Sequence, residues 1–159
     1  MMQEIKIYIP KHEVTNYLDA ALAGNTTDVC VMLNRRWYMI DVPSEDNETA
    51  LMLAAWNGNV ETAEMLCQHN ASTFVTNEDD ENVFDQVPNI DKNMKKDMDK
   101  ILQGARNDEI ESWNLEDRDY NRVKYEKDPI DGGVWCYYEI AGNLRLSSNE
   151  MNVSDIMCT

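Results

Sequence analysis

Along the first hundred residues the apolar positions recur at helical spacing, and near both ends of the chain they alternate. Val60, Ala63, Leu66 and Cys67 fall at i, i+3, i+6 and i+7, and Met94, Met98, Ile101 and Leu102 make a similar stripe. Each predicts a helix with one face buried. Ile5, Ile7 and Ile9 alternate with Lys6 and Tyr8, as do Val123 and Tyr125 with charges. Val134-Trp-Cys-Tyr-Tyr-Glu-Ile140 has the aromatic and β-branched content of a strand. Pro129-Ile-Asp-Gly-Gly133 is a turn signal, as is Ala141-Gly-Asn143, after which Leu144-Arg-Leu146 reads as a short third strand.

The helical part repeats. Asp19-Ala-Ala-Leu-Ala-Gly-Asn25 answers to Leu53-Ala-Ala-Trp-Asn-Gly-Asn59 at an offset of 34, and Asn47-Glu-Thr-Ala-Leu51 answers to Asp80-Glu-Asn-Val-Phe84 at 33. Within the unit, Thr49 is suited to cap a helix, and Leu51, Ala54 and Ala55 give that helix an apolar face with room for a close neighbour. Gly58 supplies the left-handed residue that ends it. Such a pair of helices is apolar on two sides, so units must stack to bury both.

In these features the sequence resembles the ankyrin repeat, with its 33-residue period and T-P-L-H-x-A signature. Thr49-Ala-Leu-Met-Leu-Ala54 keeps the Thr, the Leu and the Ala, with Ala50 at the Pro place and Met52 at the His place. The resemblance implies a mostly α fold: a stack of helix pairs over 13–105, with units at about 13–45, 46–78 and 79–105. Residues 1–12 form a strand-like extension, 106–121 a polar linker, and 122–159 a small β-hairpin or meander. That meander is marginal alone and is expected to pack on the repeats, and the 5–9 strand can join it.

Charge sharpens the picture. The chain has 159 residues with 30 acids against 14 Lys plus Arg, a net −16. Residues 41–91 hold twelve of the acids and no Lys or Arg. The balance speaks against binding nucleic-acid phosphates or an anionic membrane, both of which need a cationic face. It suits a basic protein partner. The lysines at 92, 95, 96 and 100 read as a solvated capping face, interrupted as they are by Asp97 and Asp99.

No constellation for catalysis emerges, and the chain is expected not to be an enzyme. It lacks a phosphate-binding glycine loop, GxSxG, HExxH and EF-hand spacing. Cys30, Cys67, Cys136 and Cys158 lie far apart and His12 and His69 are the only histidines, so neither a zinc site nor any other cofactor is expected. Free thiols are the expectation, with Cys67 at a core position. The start of the chain has no signal-peptide core and no apolar run reaches 18 residues, so an intracellular, cytoplasmic protein is expected.

In ankyrin arrays the loop tips and the exposed side of each first helix line a docking surface. Carried onto this sequence, that implies Tyr38, Glu45, Asp46 and Asn47 at or beside one tip, Met52, Trp56 and Asn57 on the helix of the middle unit, and Glu78, Asp79, Asp80 and Glu81 at the next tip. Trp56 reads either as an interface anchor or as packing between units, and Trp37 as core. The acidic run at 78–81 could also hold a cation, but its ligand spacing is undefined and a solvated loop is the simpler reading. Three functions follow from these features: a binding module for a basic protein, an acidic inhibitor that imitates nucleic acid, or a subunit lending its C-terminal hairpin to another chain.

Overall fold

The computed structural model describes residues 2–112 and 123–141. Strand β1 (Met2–Ile9) leads into helices α1 (Lys11–Ala23) and α2 (Thr26–Arg35), followed by a 3-10 turn at Trp37–Met39. Then come α3 (Ala50–Trp56), α4 (Val60–Gln68), α5 (Val83–Gln86), α6 (Lys92–Ser112), β2 (Lys124–Lys127) and β3 (Val134–Ala141). The fold is mostly α with a small antiparallel sheet.

The helices form two layers. In one, α1 packs on α3 and α3 on α5; in the other, α2 packs on α4 and α4 on α6. Both sequence offsets appear as repeated backbone geometry. Gly24 and Gly58 each take positive φ, at 78° and 71°. Behind them Asn25 N donates to Ala20 O at 2.9 Å and Asn59 N to Ala54 O at 2.8 Å. A side chain at either glycine would force the strained left-handed region. Thr49 caps α3 by accepting from Met52 N at 3.3 Å, and Asn82 caps α5 from the equivalent place 33 residues on. Between the layers Leu33, Leu51, Ala54, Ala63, Leu66, Met98 and Leu102 are buried in one core. The stripe foreseen for α4 is thus inward, with Val60 and Cys67 half-buried at its margins.

The third unit departs from the second in two ways. Helix α5 has only four residues, because Pro88 holds Val87 extended (φ −67°, ψ 117°) and stops the helix before it. Helix α6, by contrast, runs past Gly104 to Ser112, so residues 106–112, expected as linker, are helical. The last two turns are docked by side chains. Glu109 accepts from Ser72 Oγ at 2.5 Å, Thr73 N at 2.9 Å and Thr73 Oγ1 at 2.8 Å. Arg106 donates to Thr73 O at 2.7 Å, and its guanidinium lies 4.2 Å from the Phe74 ring centre and 4.4 Å from that of Phe84. These bonds hold the helix beyond a glycine that costs it about 1 kcal/mol.

The sheet has the order β1-β3-β2, all antiparallel. The N-terminal strand therefore joins the C-terminal hairpin, on the far side of β3. Ile7 and Tyr125 both pair with Cys136, and Ile9 and Lys127 pair with Val134. Ile9, Val134 and Cys136 bury themselves in the core they share with the helices. Tyr125 fixes the sheet to the first unit: its hydroxyl donates to Tyr38 O and accepts from Asp41 N at 3.2 Å. Trp37 packs edge-on against Tyr138 at 4.9 Å between centroids. The β2–β3 turn closes with Asp128 N donating to Gly133 O at 2.8 Å, and a Cβ on Gly133 would collide with the Tyr8 hydroxyl. The strand expected at Leu144–Leu146 and the linker from 113 to 121 lie outside the described residues.

Cys67 and Cys136 are free thiols, both pushed up to about 12 chiefly by burial. No described helix is long and apolar enough to cross a membrane.

Candidate partner-binding surface

Two loops, 44–48 and 77–81, share one construction. Ser44 N donates to Glu48 O and Asn77 N to Glu81 O, each at 2.9 Å. Inside each loop the first side chain accepts two backbone N–H groups. Ser44 Oγ takes those of Asp46 and Glu48, at 3.2 and 3.0 Å. Asn77 Oδ1 takes those of Asp79 and Glu81, at 2.9 and 3.0 Å. The fourth residue of each, Asn47 and Asp80, has positive φ of 62° and 58°, a conformation that Asn and Asp tolerate better than most. With backbone groups satisfied within the loops, the carboxylates of Glu45, Asp46, Glu78, Asp79 and Asp80 face solvent.

The loops sit side by side, joined by Glu78 N donating to Asp46 O at 3.1 Å. Glu45, Asp46, Glu78, Asp79 and Asp80 are exposed, and Asn47 and Glu81 are half-buried. Glu81 is partly occupied inside its own unit, accepting from Asn77 Nδ2 and Gln86 Nε2, each at 3.4 Å. The crowding of acids registers on Glu48, whose carboxyl is raised above its ordinary value by burial first, then by the charges of Asp46, Asp79 and Glu81. One end of the row is partly neutralised from elsewhere in the chain. Lys11 pairs with Glu45 at 3.1 Å, and Lys127 Nζ donates to Glu45 O at 3.0 Å. The absence of bases from 41–91 is thus a sequence fact that the fold softens at Glu45; no described base is ion-paired with an acid of 78–81.

On α3 the exposed side is narrow. Trp56 is 57% exposed and Asn57 is exposed beyond it; Asn57 Nδ2 reaches across to Leu22 O at 2.7 Å. Of the two readings open for Trp56, packing between units does not describe a side chain this accessible. Two expected contact residues are corrected. Met52 is 1% and Tyr38 8% exposed, so neither can meet a partner without rearrangement. Met52 stands at the place where the T-P-L-H-x-A signature has His, yet its apolar thioether turns into the core. Tyr38 is drawn inward by the sheet, its carbonyl bonded to Tyr125.

Sequence reasoning missed Ile90, 89% exposed in the turn between α5 and α6. The signal was available: an isolated isoleucine between Asn89 and Asp91, off the stripe of α6. Among the described residues no group of three or more His, Cys, Asp or Glu is placed to hold a metal ion. His69 closes α4, with Nδ1 2.9 Å from Met65 O, a position that serves the helix end.

The family model for the ankyrin repeat matches residues 46–78. The chain carries an ankyrin repeat. That unit runs from the first acidic loop through α3 and α4 to the start of the second loop, and its geometry recurs before and after it, as in a short array. No curated protein matches the chain. Ankyrin repeats are generally non-catalytic protein-interaction modules, and the match supports a protein-interaction role for the array.

Proposed function

We propose that this array binds a basic protein surface through the acidic row of its two loop tips, without catalysis. The observation that carries the reading is the bond between Glu78 N and Asp46 O, which sets two separate acidic loops in one row. Glu45, Asp46, Asn47, Glu78, Asp79, Asp80 and Glu81 form that row, and Trp56 and Asn57 stand at the other end of α3. An exposed Trp on the same unit as a charged row supplies an interface anchor to go with the electrostatic contact. A phosphate backbone or an anionic lipid surface would meet like charge here, so a protein partner fits best.

Charge of this kind acts first on encounter. Stopped-flow association with a lysine-rich peptide tests it, using an Asp79→Ser/Asp80→Asn variant; Asn at 80 keeps a residue suited to positive φ. The variant is expected to associate several-fold more slowly at low salt, with a shallower salt dependence. An unchanged association rate and salt slope would remove the acidic row as the docking element.

A further inference from the structure

Large apolar side chains that a folded chain leaves in water point to contacts made with something else. Trp56 and Ile90 are 57% and 89% exposed and occupy neighbouring turns of the array. Trp56 ends α3, where the α3–α4 turn begins, and Ile90 lies in the α5–α6 turn. The turns adjoin: Asn57 and Asn59 side chains donate to Leu22 O at 2.7 and 2.8 Å, tying the first turn to the second. A Cβ on Gly58 would lie 3.5 Å from Met94, which ties the second turn to the start of α6. The same end of the second and third units therefore carries Trp56 and Ile90 on adjoining turns, with Leu22 half-buried on the first.

This apolar pair and the acidic row occupy opposite ends of the first helices. The loop 44–48 precedes Thr49, the cap of α3, and Trp56 closes that helix seven residues later. At 1.5 Å per residue the two are separated by about 10 Å along the helix axis.

We propose that the array recognises a two-part segment: a Lys/Arg cluster on the loop tips and one large apolar side chain seated on Trp56 and Ile90. The inference rests on the basic-partner reading above and adds the second contact and its spacing. In an extended segment about 10 Å corresponds to three residues, at roughly 3.3 Å each. Charge complementarity selects this occupant. A second copy of the chain would bring the same acidic loops towards each other, whereas a basic segment satisfies the tips and delivers its apolar side chain along α3. Trp is the residue type most often found to anchor such contacts.

Three synthetic dodecapeptides with the same four-residue Lys/Arg cluster test the spacing. One has Leu three residues beyond the cluster, one has Ser there, and one has Leu directly after the cluster. Titration calorimetry of the full chain should find the first about tenfold tighter than the other two, the scale expected for partly burying one leucine. Ile90→Asn, at a position almost wholly in water, should erase that advantage and leave the Ser peptide's affinity unchanged. Equal affinities for the three peptides, or a loss in Ile90→Asn that is equal for all of them, would overturn the apolar contact while leaving the acidic row standing. Binding of none of them would remove the basic-partner reading, and this inference with it.

Discussion

The docking of the last two turns of α6 gives a sharp test of how the array is closed. In Glu109→Ala, three hydrogen bonds disappear together, those from Ser72 Oγ, Thr73 N and Thr73 Oγ1. Thr73 is fully buried, so its backbone N–H loses its partner away from water, while its hydroxyl keeps only Arg106 Nε at 3.2 Å. Bonds to a charged acceptor contribute roughly 1.5–3 kcal/mol each when protected, and less where water competes. Glu109 is half-buried, so about 1 kcal/mol per bond, or ~3 kcal/mol in all, is a suitable expectation. For a chain of this size that lowers Tm by roughly 6–12 °C. Urea denaturation followed by circular dichroism reads the stability, and hydrogen exchange reads residues 105–112 separately. Exchange there should rise by more than in α4, because Gly104 weakens the helix where the clasp releases it. A double cycle with Thr73→Val should show coupling of at least about 1 kcal/mol. A loss below about 0.5 kcal/mol, or unchanged exchange over 105–112, would refute the assignment of this helix end to the clasp.

Gly104→Ala should act in the opposite sense. A Cβ there meets nothing within 4 Å and the backbone is helical, so a gain of roughly 0.5–1 kcal/mol in the same denaturation assay is expected, and a loss would contradict the open site. Leu66→Ala, in the fully buried stripe of α4, should cost about 2–5 kcal/mol, whereas Trp56→Ser should cost no more than about 1 kcal/mol yet weaken peptide binding. Glu48 supplies a pH test. Its carboxyl is raised in the folded chain, so the folded state holds the proton more tightly than the unfolded one, and the contribution of Glu48 to stability falls as pH rises through the carboxylate range. In a pH series of urea midpoints, Glu48→Gln should gain stability relative to the parent chain as pH rises through that range. An unaltered slope would show that Glu48 contributes none of it.

The middle unit was legible in the sequence because its geometry is set locally. A cap at Thr49, a left-handed Gly58 and two stripes of opposite facing need no distant residue to be read. The first unit was visible through Gly24 and the Asp19–Asn25 match for the same reason. The end of α6 was not, since Gly104 and the polar run after it argue for a stop, and the partners that overrule them, Ser72 and Thr73, lie more than thirty residues away. The sheet was half-legible: alternation marked β1 and β2 and aromatic and β-branched content marked β3, while the placing of β1 beside β3 depends on a closure across the whole chain. The surface divides along the same line. The acidic loops were evident from charge and period, and the burial of Met52 and Tyr38 was not. Met52 faces inward because the helix is nearly enclosed, and Tyr38 lies beside the ring of Tyr138 from β3 while Tyr125 from β2 bonds its carbonyl. The charge pattern itself changes on folding, as Lys11 and Lys127 come to Glu45 from opposite ends of the chain.

The claim that the two loop tips act as one docking row is tested most directly by amide NMR of the full chain during titration with a lysine-rich peptide. The largest shift changes are expected to fall together on residues 45–48 and 77–81, saturate with one affinity, and fade as salt is added. Shifts confined to the sheet or to α6, with both loops unmoved at saturation, would contradict it.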